Sequence, residues 1–255
     1  MKTYYKNNHI KIDGLDIVEV ITNNYNSRRG SPIDWIVLHS TYCNLQITIN
    51  TFFSKYDKAS AHFVIPRGDE HKVYINGNVY DVKSNTVFYI VPLDKRAWHA
   101  GQRGKRRKIL KDPNSRSVGI EMVSHYYSGS GFEKPIGNWV GGFTDEQYKN
   151  VALLVKYLTD TYEIPIQFPQ AGPHTYHQNP YELRDFTGIL GHGAISYTKR
   201  NSCPGKDFDW KRLIEEVVQL SEREKNDLSR SKIGTFFDKI KKTWLSLNKI
   251  SRKET

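Results

Sequence analysis

The stretch WIVL at 35–38 is an unbroken apolar run, and SVGIEMV at 117–123 is nearly so. A strand with one wet face alternates apolar and polar residues, so a continuous run marks a strand covered on both faces. Two such strands in one chain demand layers above and below a sheet. The remaining pattern supplies them. DIVEVIT (16–22), AHFVI (61–65), KVYINGNVYDV (72–82) and TVFYIVPL (86–93) read as further strands, with Asn76-Gly77 as a hairpin signal. A short helix is expected after the first buried strand. FTDEQYKNVALLVKYLTDTY (143–162) predicts a helix with a Thr144/Gln147 capping box and one apolar face of Tyr148, Val151, Val155, Leu158 and Tyr162. DFDWKRLIEEVVQL (207–220) predicts a closing amphipathic helix. The segments 23–34 and 165–183 are rich in Pro, Gly, Asn and aromatics and read as loops. The expected fold is α/β, a mixed central β-sheet flanked by helices.

Charge divides the chain. The net charge is +11, and residues 223–255 hold ten Lys/Arg against four acids, a surplus of six. With the closing helix ending the globular part near residue 222, this predicts a domain over 1–222 and a basic tail over 223–255. Within the tail, Ile233, Phe236, Phe237, Ile240, Trp244, Leu247 and Ile250 recur at helical spacing beside lysines, the pattern of a basic amphipathic helix suited to an anionic membrane or wall surface, or to docking on the domain. Neither end of the chain nor its middle carries the roughly 18 apolar residues of a membrane-spanning helix. The first residues lack an apolar signal core, so the expected location is cytoplasmic as synthesised. Two cysteines are too few for a disulfide framework. No nucleic-acid motif accompanies the charge, and the cluster GKRRK reads as a solvated loop.

Three residues on expected loops share a chemistry. His39 ends the first buried strand, His192 lies between glycines in GILGHGAIS, and Cys203 lies in NSCPGKDFDW. Zinc accepts two histidines and a cysteine, and three protein ligands leave a fourth position open, as catalytic sites require. Their wide separation is not that of a zinc finger.

The motifs WIVLHST, SAHFVI, VPLDKRAWHAGQ, NSRSVGIEM, FTDEQY and GHGAISYTKRNSCPGKDFDW, in that order, resemble the zinc-dependent N-acetylmuramoyl-L-alanine amidases of the amidase-2 family over about residues 30–215. The resemblance implies zinc on His39, His192 and Cys203, and a peptidoglycan or muropeptide substrate. It implies Glu121 as general base toward the attacking water, and His99 as a non-ligand histidine at the substrate groove. The family's lysine two residues before the third ligand is replaced here by Asn201, so the oxyanion role is expected of Lys199 or of Asn201. His62 is expected to hydrogen bond beneath the metal. The resemblance also leaves a second function class, a peptidoglycan-binding module on the same fold without catalysis. Retention of all three ligand positions argues for the hydrolase.

Overall fold

The two buried runs become neighbouring strands. The computed structural model describes residues 10–41, 43–101, 104–124, 142–196, 203–205 and 208–226. Its main sheet has six strands: β1 (Asp16–Glu19), β7 (Thr86–Tyr89), β4 (Phe63–Ile65), β9 (Ser117–Met122), β3 (Trp35–Ser40) and β10 (Gly188–Gly191), in that spatial order. All neighbours are parallel except β4 and β7, so the sheet is mixed. Every residue of β3 and β9 is buried, as their composition requires.

One face packs on two long helices. These are α3 (Asp145–Tyr162) and α6, over residues 210–226, the last helix among the described residues. Ile36, Leu38, Phe63, Ile120 and Met122 from the sheet meet Val151, Val155 and Leu158 of α3 and Leu213 and Val217 of α6. Helix α3 starts where its sequence says it should: Thr144 and Gln147 form the reciprocal capping box, satisfying backbone donors that the first turn leaves open.

The opposite face is covered in two pieces. Helix α1 (Leu45–Phe53) buries Leu45, Ile49 and Phe52 with Val64, Phe88 and Ile90. The second piece joins Trp35, Val37 and Leu190 to Leu110, just past α2 (Gly104–Ile109), and to Leu183 of α4 (Tyr181–Arg184) and Ala194 of α5 (His192–Ile195). His39, Ser117 and Glu121 are the polar residues of that same face, by alternation from Trp35 and by register. The split covering leaves them between two apolar clusters.

Two small sheets depart from the expected pattern. Strand β5 (Lys72–Ile75) and β6 (Asn78–Asp81) form the hairpin at Asn76-Gly77, where both residues have positive φ (51° and 81°), but the hairpin does not join the main sheet. Its outer edge is closed instead by Gln46 of α1, whose amide oxygen accepts from Tyr74 N at 2.8 Å and whose amide nitrogen donates to Tyr74 O at 2.9 Å. Strand β2 (Tyr25–Ser27), inside the segment that reads as a loop, pairs antiparallel with β8 (Lys95–Ala97), just past the strand expected over 86–93. Three-residue ladders carry no periodicity to detect. Residues 165–183 stay irregular up to α4, as expected. The expected tail helix lies outside the described residues, and among the described ones no helix is long and apolar enough to cross a membrane.

Ile120 is fully buried on the helix-covered face. Ile120→Ala is expected to cost about 2–5 kcal/mol through lost burial and a residual cavity. Thr144→Ala, which removes one half of a cap, is expected to cost about 1 kcal/mol. Urea denaturation of both variants measures the contrast.

Candidate functional site

Parallel pairing assembles the site. Leu38 of β3 lies opposite Gly191 of β10, so the next residues, His39 and His192, leave their strands side by side. Their ring centroids are 4.8 Å apart. Cys203 reaches the same point from its loop: its carbonyl accepts from Gly193 N at 2.9 Å, and its Sγ accepts from Ser40 N at 3.4 Å. Gly191 is what lets the loop approach, since a Cβ there would lie 2.7 Å from Cys203 O and from Pro204 Cδ. One ligand atom from each of His39, His192 and Cys203 lies within 4.8 Å of the others, and all three residues are buried.

This donor set fits zinc. Two imidazoles and a thiol are the borderline and soft ligands that a tetrahedral Zn²⁺ takes at roughly 2.0–2.3 Å, which sets such ligand atoms roughly 3.5 Å from one another. The Ser40 amide aimed at Sγ favours the thiolate that a metal requires.

Glu121 is the register partner of His39 on β9, so the two side chains emerge on one face. It is only 7% exposed. His99 packs edge-on to His39, with its Nδ1 3.0 Å from His39 Nε2 and its Nε2 3.1 Å from Ser117 Oγ. Asn114 fixes the backbone around it, its Oδ1 accepting from His99 N at 3.0 Å and Ala100 N at 2.6 Å. Gly119 makes the room. A Cβ at that position would sit 2.5 Å from the His99 ring.

Below His99 lies His62, fully buried, as the expected hydrogen-bonded support. Its Nδ1 accepts from Gly119 N at 3.0 Å, and its Nε2 is 3.1 Å from Lys95 O and 2.7 Å from Arg28 Nη2. Arg28 is itself buried and donates to Leu93 O and Ser115 O, both at 2.8 Å. Burial pulls its pKa down to about 10. Burial first, and then the Arg28 charge, hold His62 well below the usual histidine value. Burial also lowers His99, followed by the neighbouring His62, His192 and the Arg28 and Arg96 charges. Both imidazoles on the floor of the site are therefore held below the usual histidine value.

Lys199 and Asn201 lie outside the described residues. His174 stacks on Trp210, and His177 places Nδ1 2.8 Å from Glu182 Oε2. The loop carrying His177 is held by Arg106, which donates to His177 O at 2.7 Å and to Ile195 O at 3.1 Å. That arginine belongs to the basic cluster that reads as solvated, and it is instead a strut between α2 and the turn holding His192. Ser117, Gly119, Asn114 and Arg106 escaped sequence reasoning. The available signal was alternation: Ser117, Gly119 and Glu121 are two apart on the face that carries His39.

The fold and this cluster define a class of protein: an α/β chain with a His, His, Cys donor set at the ends of adjacent parallel strands and a buried carboxylate beside it. The chain belongs to the Amidase_2 family, N-acetylmuramoyl-L-alanine amidase, whose pattern matches residues 29–206. Among solved structures, a selenomethionine derivative of AmpD is 21% identical with a TM-score of 0.48, covering 82% of this chain and 99% of its own. AmpDh3 from Pseudomonas aeruginosa is 23% identical with a TM-score of 0.45, covering 85% and 66%. The amidase AmiD from E. coli, in complex with anhydro-N-acetylmuramic acid-L-Ala-D-γ-Glu-L-Lys, is 22% identical with a TM-score of 0.45, covering 75% and 60%. No curated protein sequence matches the chain.

The depressed His62 has a consequence for folding. Below about pH 6.5 the unfolded chain binds a proton at this residue that the folded chain refuses, so stability falls as pH falls through that value. The contribution is up to about 1.4 kcal/mol per pH unit for one histidine. Denaturation between pH 7.5 and about 5 is expected to show a slope that His62→Gln reduces by one proton.

Proposed function

We propose that this chain is a zinc-dependent amidase that hydrolyses the bond between the lactyl carbonyl of N-acetylmuramic acid, or its anhydro form, and L-alanine. The observation that carries the reading is the convergence of His39, His192 and Cys203 within 4.8 Å, with Glu121 in register beside His39. Those three residues would hold the metal. Zinc bound there supplies Lewis acidity, which polarises the amide carbonyl and lowers the pKa of water toward neutrality.

The chain's own residues supply the rest. Glu121 accepts a proton from the attacking water and returns it to the departing amine of the peptide. Its burial supports that role, because a carboxylate on a covered strand is costly unless its charge is used. Lys199 or Asn201, in the segment leading to Cys203, donates to the oxygen that develops charge, and the position of His99 next to His39 supports a place for it beside the bound muropeptide. The basic residues of 223–255 add attraction to an anionic wall or membrane surface.

Zinc analysis of the purified chain is expected to give one equivalent, and His39→Ala, His192→Ala or Cys203→Ala to abolish both retention and muropeptide cleavage. Glu121→Gln should keep the metal and lose about 10²- to 10⁴-fold in turnover. Full turnover by the chelated chain would sink the metal reading, and a metal-loaded wild type that binds muropeptide without cutting it would leave a binding module. For the tail, Lys239, Lys241, Lys242 and Lys249 changed together to Gln should weaken sedimentation with intact sacculi at low salt and leave soluble muropeptide turnover unchanged.

A further inference from the structure

A run of hydrogen bonds leads from a backbone carbonyl to His39. Ser117 Oγ is 2.5 Å from Pro113 O, an atom that can only accept, so the hydroxyl proton is used there. The same oxygen faces His99 Nε2 at 3.1 Å and must therefore accept from it. His99 carries its proton on Nε2, and as a neutral ring presents a lone pair at Nδ1. The atom facing that lone pair at 3.0 Å is His39 Nε2, which must be the donor. A neutral imidazole has a single N–H, so the remaining lone pair of His39 is on Nδ1.

We propose that the Ser117–His99 pair, anchored on the Pro113 carbonyl, is a positioning device that fixes the tautomer of His39 and selects Nδ1 as its metal-ligating atom. The inference rests on the metal reading above and adds to it which nitrogen binds and what sets it. Reversing the chain would require Ser117 to donate to His99, leaving two oxygens 2.5 Å apart with no proton between them. The surroundings are built to hold His99 rigidly. Asn114 takes the two backbone amides at His99 and Ala100, and Gly119 gives the ring a seat that any side chain would fill. Donating an N–H to His99 also makes His39 Nδ1 a stronger base and hence a better ligand.

Nitrogen NMR of histidine-labelled, metal-free protein tests the tautomers directly. Both His39 and His99 are expected in the Nε2–H form. In the cadmium-substituted protein, metal–nitrogen coupling is expected at His39 Nδ1. His99→Leu removes the acceptor, and should release His39 into a tautomer mixture and weaken zinc affinity about 10- to 100-fold. His99→Asn places an amide oxygen where Nδ1 stood, and should restore both the tautomer and the affinity. Ser117→Ala asks the same question by loosening His99 from the other side, should the leucine variant not fold. His39 in the Nδ1–H form, coupling at Nε2, or equal loss in the leucine and asparagine variants would overturn the proposal. A wild type that takes up no metal while His39 shows the Nε2–H form would overturn the ligand assignment and the metal reading, and leave the hydrogen-bond chain standing.

Discussion

The structure depends on the parallel pairing of β3 with β9 on one side and β10 on the other. Parallel strands share a direction, so residues that follow at their C-terminal ends are delivered to one edge of the sheet. His39, Glu121 and His192 come from positions as far apart as 39 and 192, and only this pairing puts them together. The same register sends Ile36, Leu38, Ile120 and Met122 to the face under α3 and α6. A slip of one residue would turn every one of these side chains over, exchanging core and site. Folding and the site are therefore specified by one set of backbone hydrogen bonds.

What was legible in the sequence follows the strength of each local signal. Long apolar runs, the capping box at Thr144 and the Asn76-Gly77 turn each announce an element by themselves, and each appears where expected. The candidate ligands His39, His192 and Cys203 were legible through motifs, and the structure brings these residues together. Strands β2 and β8 were invisible because three residues cannot show a period. Arg106 and Arg116 were hidden for another reason. A basic residue reads as solvated, yet Arg106 binds carbonyls of the loop around His177, and Arg116 is buried over Trp35 at 4.2 Å while pairing with Asp34 at 2.7 Å. Guanidinium satisfies several carbonyls at once from a planar fork, which makes it a cross-brace wherever irregular backbone must be fixed. Nothing in a single chain distinguishes such an arginine from a surface one.

The ground beneath the site has an electrostatic character of its own. Arg28 brings a buried positive charge to His62, and its other donors are spent on the carbonyls of Leu93 and Ser115. A cation placed there disfavours protonation of the imidazoles above it. Imidazolium has no lone pair to offer a metal or a donor, so the buried arginine protects the ability of these rings to accept. Serine, glycine and asparagine around His99 contribute no charge, only hydrogen bonds and space.

The Gln46 side chain on α1 engages both backbone groups of Tyr74 as a neighbouring strand would. A hairpin with an open outer edge is a template onto which another extended chain can add, and this one also exposes Tyr74 and Val79 as a cross-strand pair. By occupying that edge with an amide that ends after a single residue, the protein terminates the ladder without lengthening the sheet. Gln46 thus caps the β5 edge of the hairpin, and it does so from the helix that also covers the core, so that edge stays capped as long as the domain stays folded.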